Sequence, residues 1–294
     1  MPDLAVDTPA LDRMPSAGSN SNPTGQRYRA AFISDVHLGT RDSKADLLLE
    51  FLDWLSCDTL YLVGDMFDGL KLQRSWAWPE SHDRVVQEIL AKAHSGTRVV
   101  YIPGNHDRYM RSHGNIRLGG IEVLQEAIHV SADGKRWLVT HGDVFDTAHL
   151  PTGMLVDAFI EALMMINATW NQVRSWRGSP YDPLARRIKH RIKSRVPALR
   201  DFERRAINCA RNLGVDGVIC GHTHMPEIVD EGPIRYINDG DWTDSCTAVV
   251  EEPDGHLRLL DWTSVRSQVR SQIATTSTWG VPGNWSTGVT LRTT

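Results

Sequence analysis

Short apolar runs recur along the chain, and each stops at a glycine or a polar residue. Several are rich in β-branched and aromatic side chains, and such runs, bounded by turn residues, predict buried β-strands. They cover residues 29–34, 61–63, 98–103, 137–140 and 215–220. Each predicted strand is followed by a loop that carries acidic, amide or imidazole side chains.

A predicted helix separates the first two strands. Residues 43–56 carry apolar side chains at helical spacing, namely Leu47, Leu48, Phe51, Leu52 and Leu55. The order strand, helix, strand predicts a right-handed βαβ unit with parallel strands. A second helix is predicted at 81–94. The closing strands at 235–238 and 247–250, with a hairpin through 253–255 into 257–260, need not be parallel to the others. The pattern predicts an α/β protein with a mixed sheet.

Three segments depart from this pattern. Residues 1–27 mix Pro, Ser, Asn and Gly without the apolar core of a signal peptide, so we expect a disordered lead-in. Residues 264–294 are rich in Ser, Thr and Gly and are expected to be loosely ordered. Residues 150–213 predict helices without strands, apolar at 154–170 and basic at 186–205. We therefore expect one domain at 28–263 that carries a helical insertion at 150–213.

The overall composition excludes several classes of protein. The formal net charge of -4 gives the chain as a whole no reason to bind nucleic acid. The apolar stretch at 154–170 is interrupted by polar and acidic residues, so no membrane span is expected. The four cysteines form no CxxC pair, which predicts neither a disulfide framework nor a structural zinc site and favours a reducing cytoplasm.

Candidate metal ligands follow all five predicted strands. A single Gly-Asp pair or a single histidine at a strand end is more often turn chemistry or an ordinary polar residue. Five such coincidences in one chain predict a shared site instead. Its side chains are Asp35, His37, Asp65, Asn105, His106, His141, His222 and His224.

The ligand types predict two divalent metal ions. The set combines oxygen and imidazole ligands without a thiolate, which favours Mn²⁺, Fe or Zn²⁺ over a soft metal. With His106 set aside, seven ligands exceed the four of one tetrahedral zinc site. Two metals that share one carboxylate account for this number. His222 and His224 are two residues apart and face the same way in an extended stretch.

These residues resemble, in order, the signature blocks of the calcineurin-like metallophosphoesterases. The blocks lie within residues 31–242 and read Asp35-Val-His37, Gly64-Asp65-Met-Phe-Asp68, Gly104-Asn105-His106-Asp107, His141-Gly-Asp143 and Gly221-His222-Thr-His224. The resemblance implies a four-layer α/β/β/α sandwich with a dinuclear centre. One metal would take Asp35, His37, Asp65 and His224, and the other Asp65, Asn105, His141 and His222, so that Asp65 bridges them.

The resemblance also implies a catalytic role for the third block. His106 would bind phosphate and protonate the leaving group without being a metal ligand. Asp107 is expected to orient His106, and Asp68 to support its own loop. A bridging hydroxide would attack phosphorus, with manganese as the expected metal and iron or zinc as alternatives.

Within this family the chain most resembles the UDP-2,3-diacylglucosamine diphosphatases of lipid A biosynthesis. The resemblance rests on residues 33–39, on the helical insertion between His141 and Gly221, and on residues 236–242. It implies hydrolysis of a pyrophosphate to UMP and a lipid monosaccharide phosphate, with the insertion as a lid over acyl chains. It also implies a cytoplasmic protein that meets the anionic inner membrane peripherally through the basic stretch.

One departure leaves other functions open. The best-known members of that group carry Arg where this chain has His106. A broader phosphodiesterase or phosphatase, including a nuclease, is therefore a second hypothesis, although a nuclease is expected to carry an extended basic groove. A non-catalytic scaffold predicts lost ligands, and all seven are present. Trp76 and Trp78 are either loop packing or a substrate rim, and the oligomeric state is open.

Overall fold

The computed structural model describes residues 27–113, 115–146 and 197–268. The predicted lead-in except for its last residue, most of the helical insertion and most of the tail lie outside these residues, as does the apolar stretch at 154–170. Residues 262–268, which reach into the predicted tail, are helical. Here Val265 packs against the core, and Arg266 contacts Glu50 at 2.9 Å.

The larger of two sheets has seven strands. In spatial order they are β12 (Leu257–Asp261), β11 (Thr247–Glu251), β1 (Tyr28–Ile33), β2 (Cys57–Leu62), β3 (Arg98–Tyr101), β5 (Ile121–Val123) and β4 (Ile116–Leu118). The neighbours β1, β2, β3 and β5 are parallel, and β4, β11 and β12 run antiparallel to their partners. The predictions of a parallel first pair and of a mixed sheet are thus confirmed.

The second sheet has five strands. In order they are β6 (Ala127–Val130), β7 (Arg136–Val139), β8 (Gly217–Cys220), β10 (Ile234–Asn238) and β9 (Glu227–Glu231). The central three are parallel and the two edge strands antiparallel. The carboxyl ends of β7 and β8 therefore lie together, and those of β1, β2 and β3 do so in the first sheet.

Alternating side chains place one apolar layer between the sheets and another outside each sheet. In β1, Phe32 joins the layer between the sheets, where it is accompanied by Tyr61, Val100, Trp137, Ile219 and Ile237. Its neighbour Ile33 faces outward into the cluster that contains α1 (Ala45–Trp54) and α3 (Glu80–His94). These two helices form the first outer layer.

The short helix α2 (Gly69–Arg74) precedes α3 in the chain. Helix α4 (Pro197–Asn212), which follows both, forms the second outer layer. Its buried face consists of Phe202, Ala206, Ile207 and Ala210, which pack against Leu138, Val218 and Tyr236 of the second sheet. Its residues at 197–212 were predicted as part of the insertion, but they complete the α/β/β/α sandwich. The exposed arginines of the basic stretch that the structure describes, Arg200, Arg204 and Arg205, lie on its opposite face.

Four strands and α2 were missed from the sequence because each is either short or largely exposed: β4, β5 and β6 have only three or four residues, α2 has six and none of them is buried, and β9 is mostly charged. All three residues of β4 are exposed. Strand β9 carries Glu227, Asp230 and Glu231 among its five residues. Edge strands of this kind are held by backbone pairing to a stronger neighbour, which a hydrophobic pattern does not record.

Candidate metal centre

Backbone hydrogen bonds lock the loops after β1 and β2 side by side. The amides of Val36 and His37 both donate to the carbonyl of Asp65, at 3.0 and 2.9 Å, and the amide of Asp35 donates to the carbonyl of Gly64 at 3.0 Å. The main chain itself therefore brings the first and second predicted ligand blocks together, independently of any side-chain contact.

The backbone at the ligands is strained. Five predicted ligands have a positive φ, between 51° and 67°: Asp35, His37, Asp65, His222 and His224. Residues other than glycine rarely adopt a positive φ, and the backbone strain at each such residue costs about 1–3 kcal/mol. Strain of this kind is retained where surrounding structure enforces it, and it concentrates at functional sites.

Four side chains form the set predicted for the first metal. Nε2 of His224 lies 3.2 Å from Oδ1 of Asp35, and Nε2 of His37 lies 3.8 Å from the same oxygen. Nε2 of His37 also lies 3.9 Å from Oδ2 of Asp65. Oxygen and nitrogen ligands that converge at such distances leave room for one cation between them.

The second predicted set is assembled around His141. Its Nε2 lies 3.4 Å from Oδ2 of Asp65 and 3.1 Å from Oδ1 of Asn105. Its Nδ1 lies 2.9 Å from the carbonyl oxygen of Val63, to which it can donate, so that Nε2 is the nitrogen that faces a metal. The ring of His222 lies 5.2 Å from that of His141, but its Nε2 points to Oδ2 of Asp146 at 3.1 Å.

Close packing around His141 and Asp35 requires glycine at two positions. Gly64 has a φ of +89°, and a Cβ there would overlap the ring of His141. A Cβ at Gly221 would overlap Ser34 and the carboxylate of Asp35. These glycines let the strand ends approach closely enough for the ligands to share one site.

The donor set fits divalent cations. Oδ1 of Asp35 is fully buried and accepts no hydrogen bond of good geometry, although imidazole nitrogens surround it. An uncompensated buried carboxylate oxygen is costly unless a cation offsets its charge. Asp35 joins His37 and His224 in one compact group and Asp65 and His141 in another, with all ligand atoms of a group within 4.8 Å of one another.

The charges of the site also favour cations. Burial opposes the charged form of His37, yet the neighbouring carboxylates of Asp35 and Asp68 raise the pKa of His37 to about 10. Burial likewise opposes the charge on His141, and the Asp65 carboxylate raises its pKa to about 10. Burial disfavours ionised Asp65, but His141 holds the pKa of that carboxyl well below its usual range. The carboxylates attract positive charge that a metal can supply in place of protons.

His106 lies beside the metal ligands, and its supporting carboxylate differs from the predicted one. Its Nε2 is 4.0 Å from Oδ2 of Asp65, and its backbone amide donates to Oδ1 of Asp65 at 2.8 Å. Its Nδ1 lies 3.2 Å from Oδ1 of Asp68. The residue placed to orient the ring is therefore Asp68.

Asp107, which we predicted to orient His106, holds two loops together instead. Its buried carboxylate accepts from the amides of Met66 at 2.9 Å and Gly104 at 2.5 Å and from the hydroxyl of Tyr101. Asp68 caps α2 by accepting from Lys71 N at 2.9 Å, so its predicted support of its own loop is confirmed.

Two further carboxyl groups support the ligands and were not predicted. Oδ2 of Asp241 lies 3.8 Å from Nδ1 of His224. Ser34 Oγ lies 2.6 Å from both Asp35 Oδ2 and Asp239 Oδ1. A hydroxyl has one hydrogen to donate, so one of these two acids must be protonated. Burial raises the pKa of Asp239 well above its usual range, so Asp239 carries the proton and Ser34 donates to Asp35.

Comparison with known proteins agrees with this geometry. Residues 28–226 match the family described as "Calcineurin-like phosphoesterase". A UDP-2,3-diacylglucosamine hydrolase from Nitrosococcus oceani is 25% identical over 238 residues, covering 76% of this chain and 91% of that protein. Homologues of the same name from Aeromonas salmonicida and Pseudomonas aeruginosa are 28% and 26% identical.

Two other relatives are more distant or more partial. The DNA polymerase II small subunit of Methanothermobacter thermautotrophicus is 30% identical over 152 residues, which cover 40% of this chain and 31% of that protein. The solved structure of Yfce, a phosphoesterase from E. coli, is 17% identical and covers 79% of this chain and 98% of its own, with a TM-score of 0.39. On the match over residues 28–226, more than half of its length, the chain belongs to the calcineurin-like phosphoesterase family and is a metal-dependent phosphoester hydrolase.

Proposed function

We propose that this hydrolase cleaves the pyrophosphate of a UDP-2,3-diacylglucosamine-type substrate to give UMP and a lipid monosaccharide 1-phosphate. The observation that carries the proposal is the similarity to hydrolases of that name along most of both chains, combined with a complete set of seven ligands in this one. Manganese is the metal that we propose for both positions, in keeping with the oxygen and imidazole donors.

Seven residues would hold the two metals. One position takes Asp35, His37 and His224, the other takes Asn105, His141 and His222, and Asp65 lies between them. When bound, two divalent cations neutralise phosphate charge and lower the pKa of a water molecule so that it becomes a nucleophile at neutral pH. The scaffold holds five of these ligands in strained backbone conformations, so the site is organised before substrate arrives.

His106 is the residue that we propose for the leaving group. Its side chain is 29% exposed, so it can reach a substrate phosphate oxygen from the edge of the site. Asp68 lies at Nδ1, which directs Nε2 toward the reacting groups. A proton held at Nε2 can then pass to the departing oxygen.

The rim of the site suits a substrate with an apolar part. Exposed large hydrophobic side chains follow three of the metal loops in sequence: Leu70 begins α2 after Asp68, Tyr109 follows His106, and Val144 follows His141. A Cβ added at Gly69 would contact the ring of Tyr109, so the first two loops share this apolar border. Acyl chains are one kind of group that such a border accommodates.

The acyl chains also bear on where the enzyme acts. Among the described residues, no helix has both the length and the apolar content that crossing a bilayer requires. We propose a cytoplasmic enzyme that reaches its substrate by peripheral contact with the inner membrane, using the basic stretch at 186–205, most of which lies outside the described residues. Flotation with anionic vesicles, against neutral vesicles as the control, tests this contact.

A second candidate function is a broader phosphodiesterase or phosphatase. The observation that favours it is the identity of residue 106, which is histidine in this chain. The best-known UDP-2,3-diacylglucosamine diphosphatases carry arginine at the corresponding position. An imidazole binds a diphosphate less tightly than a guanidinium, because the guanidinium binds phosphate in a bidentate manner. The metal chemistry is the same for both candidates, and they differ only in substrate.

One experiment separates the two candidates. The purified protein with Mn²⁺ is incubated with UDP-2,3-diacylglucosamine, UDP-glucose, bis-p-nitrophenyl phosphate and single-stranded DNA, with Asp65→Ala as the background control. Release of UMP from the acylated substrate alone is the expected result. Turnover of the simple diesters or of DNA, with the acylated substrate untouched, would overturn the proposal and favour the second candidate.

A further inference from the structure

Trp76 is the most exposed large hydrophobic side chain among the residues that the structure describes. It is 75% exposed and lies in the loop between α2 and α3. The sequence left two roles open for Trp76 and Trp78, loop packing or a substrate rim. The structure assigns packing to Trp78, which lies partly buried against the main core, and leaves Trp76 with an open ring face.

Three aromatic rings connect Trp76 to the metal centre. Phe67 lies between Asp65 and Asp68 in the second metal loop, and its ring stacks on Trp78 with centroids 6.2 Å apart and planes inclined by 15°. The ring of Trp78 lies 5.9 Å from that of Trp76, at 31°. The three rings, Phe67, Trp78 and Trp76, form an aromatic ladder that runs from the metal loop to solvent.

The middle ring of the ladder is held in place. Nε1 of Trp78 donates to Oδ1 of Asp83 at 2.7 Å, and its ring meets the ring of His82 edge-on at 5.4 Å. Nδ1 of His82 accepts from the amide of Gly39, two residues after His37, at 3.0 Å. The ladder is thereby tied to the first metal loop as well as to the second, so its outer ring has a defined position relative to the metals.

Two cationic residues precede the outer ring in the chain. Lys71 and Arg74 belong to the last turn of α2 and both are exposed, with Nζ of Lys71 3.9 Å from Oδ2 of Asp42. An acyl chain gains nothing from neighbouring ammonium and guanidinium groups, whereas a nucleotide presents a flat base together with anionic phosphate. Tryptophan next to basic residues is the combination that proteins use to stack bases while they hold a phosphate backbone.

We propose that Trp76 stacks the nucleobase of a nucleoside diphosphate-linked substrate, and that the aromatic ladder is the base subsite of the enzyme. This inference rests on the proposed function, because it places the nucleotide half of that substrate on one side of the metals. The exposed side chains of Tyr109 and Val144, which follow other metal loops, remain for the other half. Loss of one stacked base weakens binding about tenfold or more in proteins that use such contacts.

The test compares two ligands that differ only in the base. Binding of UMP and of ribose 5-phosphate to the Mn²⁺-loaded protein is measured by calorimetry for the wild type, Trp76→Ala and Trp76→Phe. The wild type is expected to bind UMP about tenfold more tightly than ribose 5-phosphate. Trp76→Ala should abolish this preference by weakening UMP binding alone, and Trp76→Phe should largely restore it. Leu118→Ala, which removes another exposed apolar side chain on the edge strand β4, should change neither affinity.

Several results would overturn the base subsite. One is a wild type without preference for UMP; others are a Trp76→Ala protein that retains the preference or loses affinity for both ligands equally. Weakened binding to vesicles of anionic phospholipid, with UMP binding unchanged, would assign Trp76 to a membrane surface instead.

These outcomes are separable from the proposed function. Base-dependent binding without hydrolysis of the acylated substrate would refute only the reaction, and normal hydrolysis with an unchanged KM in Trp76→Ala would refute only the subsite.

Discussion

Oδ2 of Asp65 lies 3.4 Å from Nε2 of His141 and 3.9 Å from Nε2 of His37. These two imidazoles belong to different predicted metal positions, so one carboxylate oxygen stands between the two halves of the ligand set. The contact joins β2 of the first sheet to the loop after β7 of the second. The metal centre therefore depends on the packing of the two sheets, because neither sheet alone supplies all of the ligands.

Removal of the His106 imidazole should slow the reaction and leave the metals in place. His106→Ala is expected to retain two metal ions per chain, because the ring touches Asp65 without being one of the seven ligands. The turnover number should fall about 10²- to 10⁴-fold, the usual contribution of a general acid. Steady-state kinetics and metal analysis on the same preparation test this. His256→Ala, at an exposed hairpin position, is the control, and loss of metal from His106→Ala would contradict the assignment.

Removal of the Asp107 carboxylate should destabilise the fold. Asp107→Ala leaves the amides of Met66 and Gly104 and the hydroxyl of Tyr101 without their buried acceptor. We expect the free energy of unfolding to fall by about 3 kcal/mol, since each unsatisfied buried group costs roughly 1–3 kcal/mol. Urea denaturation of metal-free protein measures it. Asp107→Asn, which keeps one acceptor oxygen, should lose less, and an unchanged stability of the alanine variant would argue against this role.

Asp239 should tolerate a neutral replacement. As a protonated acid it donates to Ser34, and the amide of Asp239→Asn can donate in the same direction. The asparagine variant should therefore lose less than about 1 kcal/mol of unfolding free energy, whereas Asp239→Ala, which removes the donor and leaves a cavity, should lose about 2 kcal/mol or more. Thermal and urea unfolding compare them. Equal losses in the two variants would show that Asp239 is ionised.

The strand pair β3–β5 offers a prediction on pH. Hydrogen bonding to Arg98, at 2.7 Å, lowers the pKa of Glu122 below its ordinary value of 4.5. A carboxyl whose pKa is depressed in the folded state stabilises the fold above its ordinary pKa and loses that contribution as the pH falls through the folded value. Glu122→Gln should therefore cost about 0.5–1 kcal/mol at pH 7, as for a partly exposed ion pair, and almost nothing near pH 2. A cost that is the same at both pH values would contradict this reading.

The ligand blocks can be proposed from the sequence because they combine two strong signals. Asp35 and His37 follow a buried strand at a spacing of two, and five such strand ends recur in one chain. Strand ends of parallel sheets converge, so recurrence alone predicts a shared site. The buried strands β1, β2, β3, β7 and β8 carry the apolar pattern for the same reason that they hold the ligands: they form the centres of the two sheets.

The supporting residues were harder to predict because they depend on side-chain direction in loops. Asp107 is next to His106 in the chain, yet the turn after β3 sends its carboxylate toward Tyr101, and Asp68, 38 positions earlier, reaches the imidazole. Asp146 contacts His222 and follows a short helical turn. This turn has no periodic apolar pattern by which the sequence could predict it. Contacts between loops are set by packing of the two sheets and not by spacing within one segment.

The most direct test of the account is the metal content of Asp65→Ala. The wild type and the variant are stripped with a chelator, reloaded with Mn²⁺, freed of excess metal and analysed by mass spectrometry, with Asp53→Ala as a control at an exposed carboxylate of α1. If Asp65 bridges the two positions, the wild type and Asp53→Ala should retain two metal ions per chain, and Asp65→Ala should retain neither metal nor phosphoesterase activity. An Asp65→Ala protein that keeps both metals and turns over substrate would contradict the bridge.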